Sequence, residues 1–423
     1  MSDLLFFAGG NCLARHGTLV WQTTAEEDTS AETHTRSSTA RSKGQDGYLH
    51  DVDTNVPTLM WHDHDGDGVR EPFLLIEGER TNLNTEDDLS AWTTSGTITV
   101  TGSVADPAEG TGAYTVSTSS GGSSTYIART ISPTSATVSV SWIVAENSMP
   151  GAGSQDFQLY DTTAATDRIH LKIASWSSSG PSVSAQAGTL IGTRELAGGY
   201  YQIQAYTDAV VTGNTNQLRL FPAANNGQSG SFDVYRLMAY DDKVPLMSVV
   251  DEGATHQKDV FYAPFPHPPQ ELTVYIRFDE RGSIEAANKT LVHIGSATAT
   301  ADPRFIVARE SSVAKYSVTF DNGTTVNSAN GNNLTTPVFN DVVELVATLN
   351  SSGNVQISQS INGGAIDVGQ ASNTTATIPS AWAGERIYIG SRGSSGTTHH
   401  SVVALSDLKI ARGIKTMSQM RAL

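Results

Sequence analysis

Cysteine is almost missing from these 423 residues: Cys12 stands alone. One thiol excludes an intrachain disulfide and a thiolate metal cage, so stability must come from packing or from association of copies. Basic residues are scarce too, 26 Lys and Arg against 43 Asp and Glu, giving a formal net charge of −17. A surface this acidic repels nucleic acid and anionic lipid, and neither is expected as a partner. No stretch reaches the roughly 18–20 apolar residues of a membrane-spanning helix, so no membrane insertion is expected. The opening MSDLLFFAGGNCLARHG has no basic leader before its short apolar run. No signal peptide is therefore expected, and assembly in the cytoplasm is. Charged residues reach only 16% and hydrophobic ones 38%, both below globular averages.

Ser, Thr, Gly, Asn and Ala fill the gap, a composition suited to many short strands joined by turns. The length exceeds one ordinary core, so two or three domains are expected. Residues 1–88 have little sustained periodicity. From 89 to 248 the chain alternates in β fashion: TYIARTI (125–131), TVSVSWIVA (137–145), FQLYD (157–161), RIHLKIASW (168–176), YYQIQAY (200–206) and NQLRLFPA (216–223). Clusters such as SSGGSS and AANNGQSG punctuate these runs. This spacing predicts an antiparallel sandwich or jelly roll. Pro264, Pro266, Pro268 and Pro269 mark 249–270 as a linker. A second β-run follows over 271–423, beginning with ELTVYIRFD (271–279) and closing with SDLKIARG (406–413). Turns of the NG and SSGN kind favour hairpins there. Only the tail, 414–423, reads as helical. The fold class predicted is all-β: two antiparallel sandwiches, jelly-roll and concanavalin A-like, after an irregular N-terminal part.

The motif that invites a chemical reading is WHDHDGDGVREPFLLIEGERTNL, residues 61–83. Asp63, Asp65, Asp67 and Gly68 match positions 1, 3, 5 and 6 of a calcium loop, with Glu71 at position 9. Leu74 stands where the bidentate acid belongs, and Pro72 with the following strand leaves no room for flanking helices. A solvated acidic turn held by Asx hydrogen bonds competes with bound calcium and is the favoured reading. No cofactor is required by this sequence. His62 and His64 would share one face of a strand, near His50, Asp51 and Asp53 in sequence, but further transition-metal ligands are not apparent. His399 and His400 read as loop residues. Glu77, Arg80, Thr81 and Asn82 read as a structural set, an acid, a guanidinium and an amide that can satisfy one another and nearby backbone.

Glycan binding needs aromatic platforms beside acids and amides. Trp142 alternates with valines and reads as core. Trp176, at a strand end, is the better ligand candidate, with Trp382 and Tyr388 in the second sandwich. Hydrolysis needs paired carboxylates in a cleft or a Ser/His/acid set. No G-x-S-x-G elbow, β-helical repeat or phosphate-binding loop occurs. An enzyme is not expected.

Residues 35–93 resemble a segment shared by many tailed-phage structural proteins. Its R-x-S-T-A element corresponds to Arg36, Ser38, Thr39 and Ala40, its D-G turn to Asp46 and Gly47, and its N-x-P to Asn55 and Pro57. Its LLIE-x-x-RTNL element corresponds to Leu74, Leu75, Ile76 and Glu77 followed by Arg80, Thr81, Asn82 and Leu83, and its aromatic to Trp92. Thr58 replaces the family's basic residue, and Phe73 its glycine. More loosely, 89–248 resembles carbohydrate-binding-module jelly rolls. Residues 271–423 resemble laminin-G and concanavalin A-type sandwiches, which likewise end in a strand, a loop and a short helix. These resemblances imply a virion structural protein: a fibre, tail-tip component or capsid decoration. Residues 1–88 would dock on other virion proteins or on sister chains, and family analogy implies homo-oligomers, with trimers the expected state. Two lectin-like sandwiches would meet host cell-surface glycans without catalysis. A tailspike-like polysaccharide hydrolase and a purely structural decoration are the alternatives; a secreted lectin fits poorly with the missing leader.

Overall fold

Alternating strands bury one face each and must stack to do so. The computed structural model describes every residue except 1–3, 8–10, 15–18, 25–32, 56–57, 63–70, 78, 244, 258–259, 265–270, 281–288, 296–302, 311–314, 332–333, 339–340, 373–374, 379–385 and 392–402. The described chain is nearly all antiparallel strand, in two units. Among the described residues, no helix is long and apolar enough to cross a membrane.

One unit comprises 39–52 and 79–256. It stacks two 6-stranded sheets. The first runs, edge to edge, Thr93–Ser95, Tyr126–Ile131, Asn216–Phe221, Gln155–Asp161, Thr166–Ser177 and Gly180–Ala187. The second runs Ile98–Val104, Ala113–Thr118, Gly230–Tyr240, Val138–Ser148, Tyr200–Thr207 and Thr189–Glu195. Between them lie Leu218, Leu220, Leu159, Ile169 and Leu171 from one side and Val140, Val144, Val234 and Ile203 from the other. Trp142, Phe157 and Phe232 fill the centre, with ring centroids 6.0 and 5.2 Å apart in sequence along that row. Between Gly180–Ala187 and Thr189–Glu195 the chain passes from the first sheet to the second with Gly188 as the single connecting residue. Its φ of 73° suits glycine, and a Cβ there would meet the Tyr206 carbonyl at 2.9 Å.

The middle of the second sheet is buried on both faces. Val138, Val140, Trp142 and Val144 point into the sandwich, whereas Ile143 and Ala145 point outward into another apolar cluster. That cluster holds Tyr200, Tyr235, Met238 and Tyr240, roofed by Leu49, Leu246, Val249 and Val250. The roof is the hairpin Ala40–Lys43/Leu49–Val52 together with the chain leaving the last strand. Backbone bonds join the two pieces, Val249 N–H to the Arg41 carbonyl at 2.9 Å and Arg41 N–H to the Val249 carbonyl at 3.2 Å. Buried Gln204 donates to the Leu246 carbonyl at 2.9 Å.

The other unit comprises 1–38, 53–78 and 257–423, with a 7-stranded and an 8-stranded sheet. Val274, Ile276, Phe278, Phe305, Val318, Phe320, Leu345, Ile387 and Ile410 are among its core residues. Strand Val403–Arg412 is met by Leu19–Thr24 and by Glu71–Ile76, and Thr33–Thr35 pairs with Val260–Pro264. The helix Met417–Arg421 is capped by Thr416 and Gln419 and buries Met417 and Met420 on Tyr275, Val346 and Ala411.

Two boundaries therefore differ from those drawn on texture. The described strands of 1–88 are not a body of their own: Leu19–Thr24, Thr33–Thr35, Thr58–His62 and Glu71–Ile76 complete the second sandwich, and 40–52 roofs the first. Isolated short apolar strands carry little periodicity, and only a sheet edge elsewhere in the chain satisfies their backbone groups. Likewise 249–256 packs in the first unit, and Val260–Pro264 is a strand rather than linker, with Pro264 at its last position, where a missing N–H is tolerated.

Candidate functional site

Among the described residues of the 39–52/79–256 unit, none roofs the outer face of the first sheet in this way. Strict alternation sets its composition. In Asn216–Phe221, Leu218 and Leu220 are fully buried while Gln217 and Arg219 are only partly so; in Gln155–Asp161, Phe157 and Leu159 face in while Gln158 and Tyr160 face out. Ile169, Leu171 and Ile173 turn in from Thr166–Ser177, leaving His170 and Lys172 outside. Cross-strand register places Ala128, Arg219, Gln158 and His170 in one row. Tyr126, Phe221, Asp156 and Lys172 form the next row.

Arg219 occupies the middle of this face. Its Cζ lies 3.7 Å from the centre of the Tyr160 ring and 4.5 Å from that of Tyr126, both diagonal neighbours across the sheet. Ala128 opposite leaves the space the guanidinium needs. Nε and Nη2 both donate to Gln217 Oε1, at 3.0 and 2.9 Å. Among the described residues no carboxylate pairs with Arg219 or with Lys172. The two nearby acids belong to His170: Nε2 meets Asp156 at 2.7 Å and Nδ1 meets Asp167 at 3.0 Å. Burial alone would lower the imidazole, but the two carboxylates outweigh it and raise His170 to about 9. The imidazolium is therefore the neutral-pH form, and around it Arg219, Lys172 and His170 stand beside Asp156 and Asp167.

A second polar cluster lies under the roof segment. Carboxylate oxygens of Asp87, Asp251 and Glu252 lie within 4.8 Å of one another. Burial, reinforced by the hydrogen bond with Glu252, raises the Asp87 carboxyl to about 8 against the pull of Arg236. The same bond lowers Glu252, so the shared proton resides on Asp87. Arg236 Nε stands 3.2 Å from Asp87, and Arg41 Nη1 stands 2.8 Å from Asp251. The two guanidiniums in contact balance the charge of the cluster.

The residues singled out in sequence fare unevenly. Asp63, Asp65, Asp67 and Trp382 lie outside the described residues, as do the side chains of His62 and Glu71, and His64, His399 and His400. His50 pairs with Asp46 at 2.9 Å. Trp176 is half-buried, its N–H on Gln155 Oε1 at 3.0 Å and its ring against Tyr201 at 5.8 Å, so it braces the sandwich margin. Tyr388 must be corrected as a sugar platform: it is fully buried, stacked with His293 and against Tyr262. Asn82 binds the Val250 and Asp251 carbonyls, and Arg80 pairs with Asp242 at 2.8 Å. Thr81 bonds Thr255 at 2.8 Å, and Glu77 is buried. Thr58 accepts from buried Arg36. Sequence reasoning passed over Tyr126, Tyr160, Arg219 and His170; their signal was the polar half of each alternating strand.

No protein-family model and no curated protein sequence matches the chain. Among solved structures, the CBM40 of Ruminococcus gnavus IT-sialidase, bound to α2,6-sialyllactose, is similar over 36% of this chain and 82% of its own, at 12% identity and TM-score 0.28. A carbohydrate esterase from the Shiga toxin-encoding bacteriophage phi24B is similar over 37% of this chain and 76% of its own, at 16% identity and TM-score 0.23. Domains LG4–5 of the mouse laminin α1 chain cover 79% of this chain and 88% of their own, at 10% identity and TM-score 0.23. Glycoside hydrolases occur among the similar structures as well. Stacked antiparallel sheets resemble one another whatever they bind, so likeness at this level transfers neither ligand nor activity.

Proposed function

We propose that the chain is a non-catalytic glycan-binding protein that holds polysaccharide on the open face of the 39–52/79–256 sandwich. One observation carries this reading: of that sandwich's outer faces, one is covered over its middle by an apolar roof and the other presents Tyr126, Tyr160, Arg219, Gln158 and His170. Tyrosine rings stack on sugar faces, while amides and guanidiniums bond hydroxyls. The setting follows from the phage-type segment over 35–93: a virion component, displayed in many copies as a homo-oligomer beside other virion proteins. Weak single sites then act together on a host surface.

Binding of the full chain to an array of bacterial surface polysaccharides tests the activity. Retention without sugar release, lost in Tyr160→Ala with an unchanged melting temperature, supports it; silence across the array, or release of sugar, overturns it. Immunogold labelling of phage particles with antibody to this chain tests the setting, and unlabelled particles overturn it.

A further inference from the structure

The open face is specific about charge as well as shape. Arg219 is the informative residue, because its surroundings dictate which of its donors remain. Tyr160 and Tyr126 cover the guanidinium from two sides, at 3.7 and 4.5 Å from the ring centres. Gln217 takes the Nε edge and one N–H of Nη2. What is left is the terminal edge: both N–H groups of Nη1, which has no partner among the described residues, and the second of Nη2. Two parallel donors in one plane match the two oxygens of a carboxylate. A neutral hydroxyl offers one oxygen and no charge, so it makes neither the two-oxygen fork nor the ion pair. Fixing the group between aromatic rings also removes rotamer freedom before a ligand arrives, so less entropy is lost on binding.

The neighbouring charges agree. Asp156 and Asp167 would repel an anion, but both are held by His170. Lys172, two rungs along, has no carboxylate partner among the described residues. In a chain of net charge −17, a face whose acids are internally neutralised and whose arginine is left unpaired is locally inverted in sign.

We propose that the open face binds a carboxylate-bearing polysaccharide, with the sugar acid engaged end-on by Arg219 and the sugar rings lying along Tyr126 and Tyr160. This deepens the glycan-binding reading and rests on it. The acidic remainder of the chain repels polyanions, so retention of one reports the site rather than general charge.

The test uses the full chain and four acidic polymers, hyaluronate, alginate, polygalacturonate and polysialic acid, each beside its carboxyl-reduced form and with neutral dextran as a control. Expected are retention of at least one acidic polymer, at least tenfold weaker binding of its carboxyl-reduced form, and at least tenfold weaker binding by Arg219→Gln. Arg219→Lys keeps the charge but not the fork, and recovers only part of that loss. Melting temperatures within a degree or two of the parent keep the variants comparable. Equal binding of acidic and reduced polymers, or an Arg219→Gln variant that binds like the parent, overturns the carboxylate assignment and leaves the glycan-binding reading standing. Binding to none of the polymers and to nothing on the bacterial array overturns both.

Discussion

The side-chain oxygen of Asn82 accepts the backbone N–H of Ala239 at 3.1 Å, across 157 positions of sequence. The same oxygen accepts Asn84 N–H at 3.1 Å, while its amide reaches the Val250 and Asp251 carbonyls at 3.4 and 3.3 Å. With Asn82 almost wholly buried, truncation removes these bonds from backbone groups largely shielded from solvent. Asn82→Ala is expected to lose about 2–4 kcal/mol of unfolding free energy, measured by denaturant titration followed through tryptophan emission.

His170 gives the fold an alkaline weakness. Its folded pKa, about 9, lies above the unfolded value of about 6.5. The contribution is complete below pH 6.5 and disappears as pH rises through 9, up to about 3 kcal/mol by linkage. His170→Gln should be less stable than the parent at pH 6 and equal to it near pH 10. A stability difference that does not vary with pH contradicts the pairing with Asp156 and Asp167.

Asp87 acts over a lower window with the same sign. Its carboxyl is raised to about 8, so the folded state binds the extra proton and stability declines from about pH 4 up to pH 8. Asp87→Asn carries a permanently neutral group that can still bond Glu252. Its stability should be flatter across that window, and at pH 9 it should melt above the parent. Calorimetric scans at pH 5, 7 and 9 separate this behaviour from that of His170.

The C-terminal helix is fastened by packing more than by charge. Met420 is fully buried, so Met420→Ala is expected to cost about 2 kcal/mol or more. Arg421 pairs with Glu344, which also accepts Tyr275 O–H at 2.6 Å. Arg421 is partly exposed, and Arg421→Ala should stay within about 1 kcal/mol at pH 7. Its pH signature is sharper. Burial would raise Glu344, but Arg421 and Tyr275 hold it below the usual range, a contribution present above about pH 4.5 and lost as pH falls. The variant should lose part of that acid dependence.

Much of the β-structure was legible. FQLYD, RIHLKIASW and NQLRLFPA alternate strictly, and each falls on a strand of the open sheet. Gly230–Tyr240 escaped notice because, buried on both faces, GSFDVYRLMAY lacks a clean period of two. The split of 1–88 was invisible for a different reason: which sheet edge receives LLIE is decided by strands more than three hundred residues away, such as Val403–Arg412. For the site, tryptophans drew attention as the largest aromatics. Size also favours burial, and Trp92 and Trp142 are core. The tyrosines beside Arg219 depend on register between strands far apart in sequence, which no single segment discloses.

Entry to and exit from the 79–256 sandwich run side by side: Arg80 pairs with His256 and Thr81 with Thr255. Adjacent strands lie about 4.8 Å apart, so the chain comes back to where it left. A domain closed in this way behaves as a cassette. What stands between those two rungs can be lengthened or replaced without moving either strand end, while the Ala40–Lys43/Leu49–Val52 hairpin, which packs on the sandwich from outside the rungs, constrains any replacement to keep its apolar outer cluster.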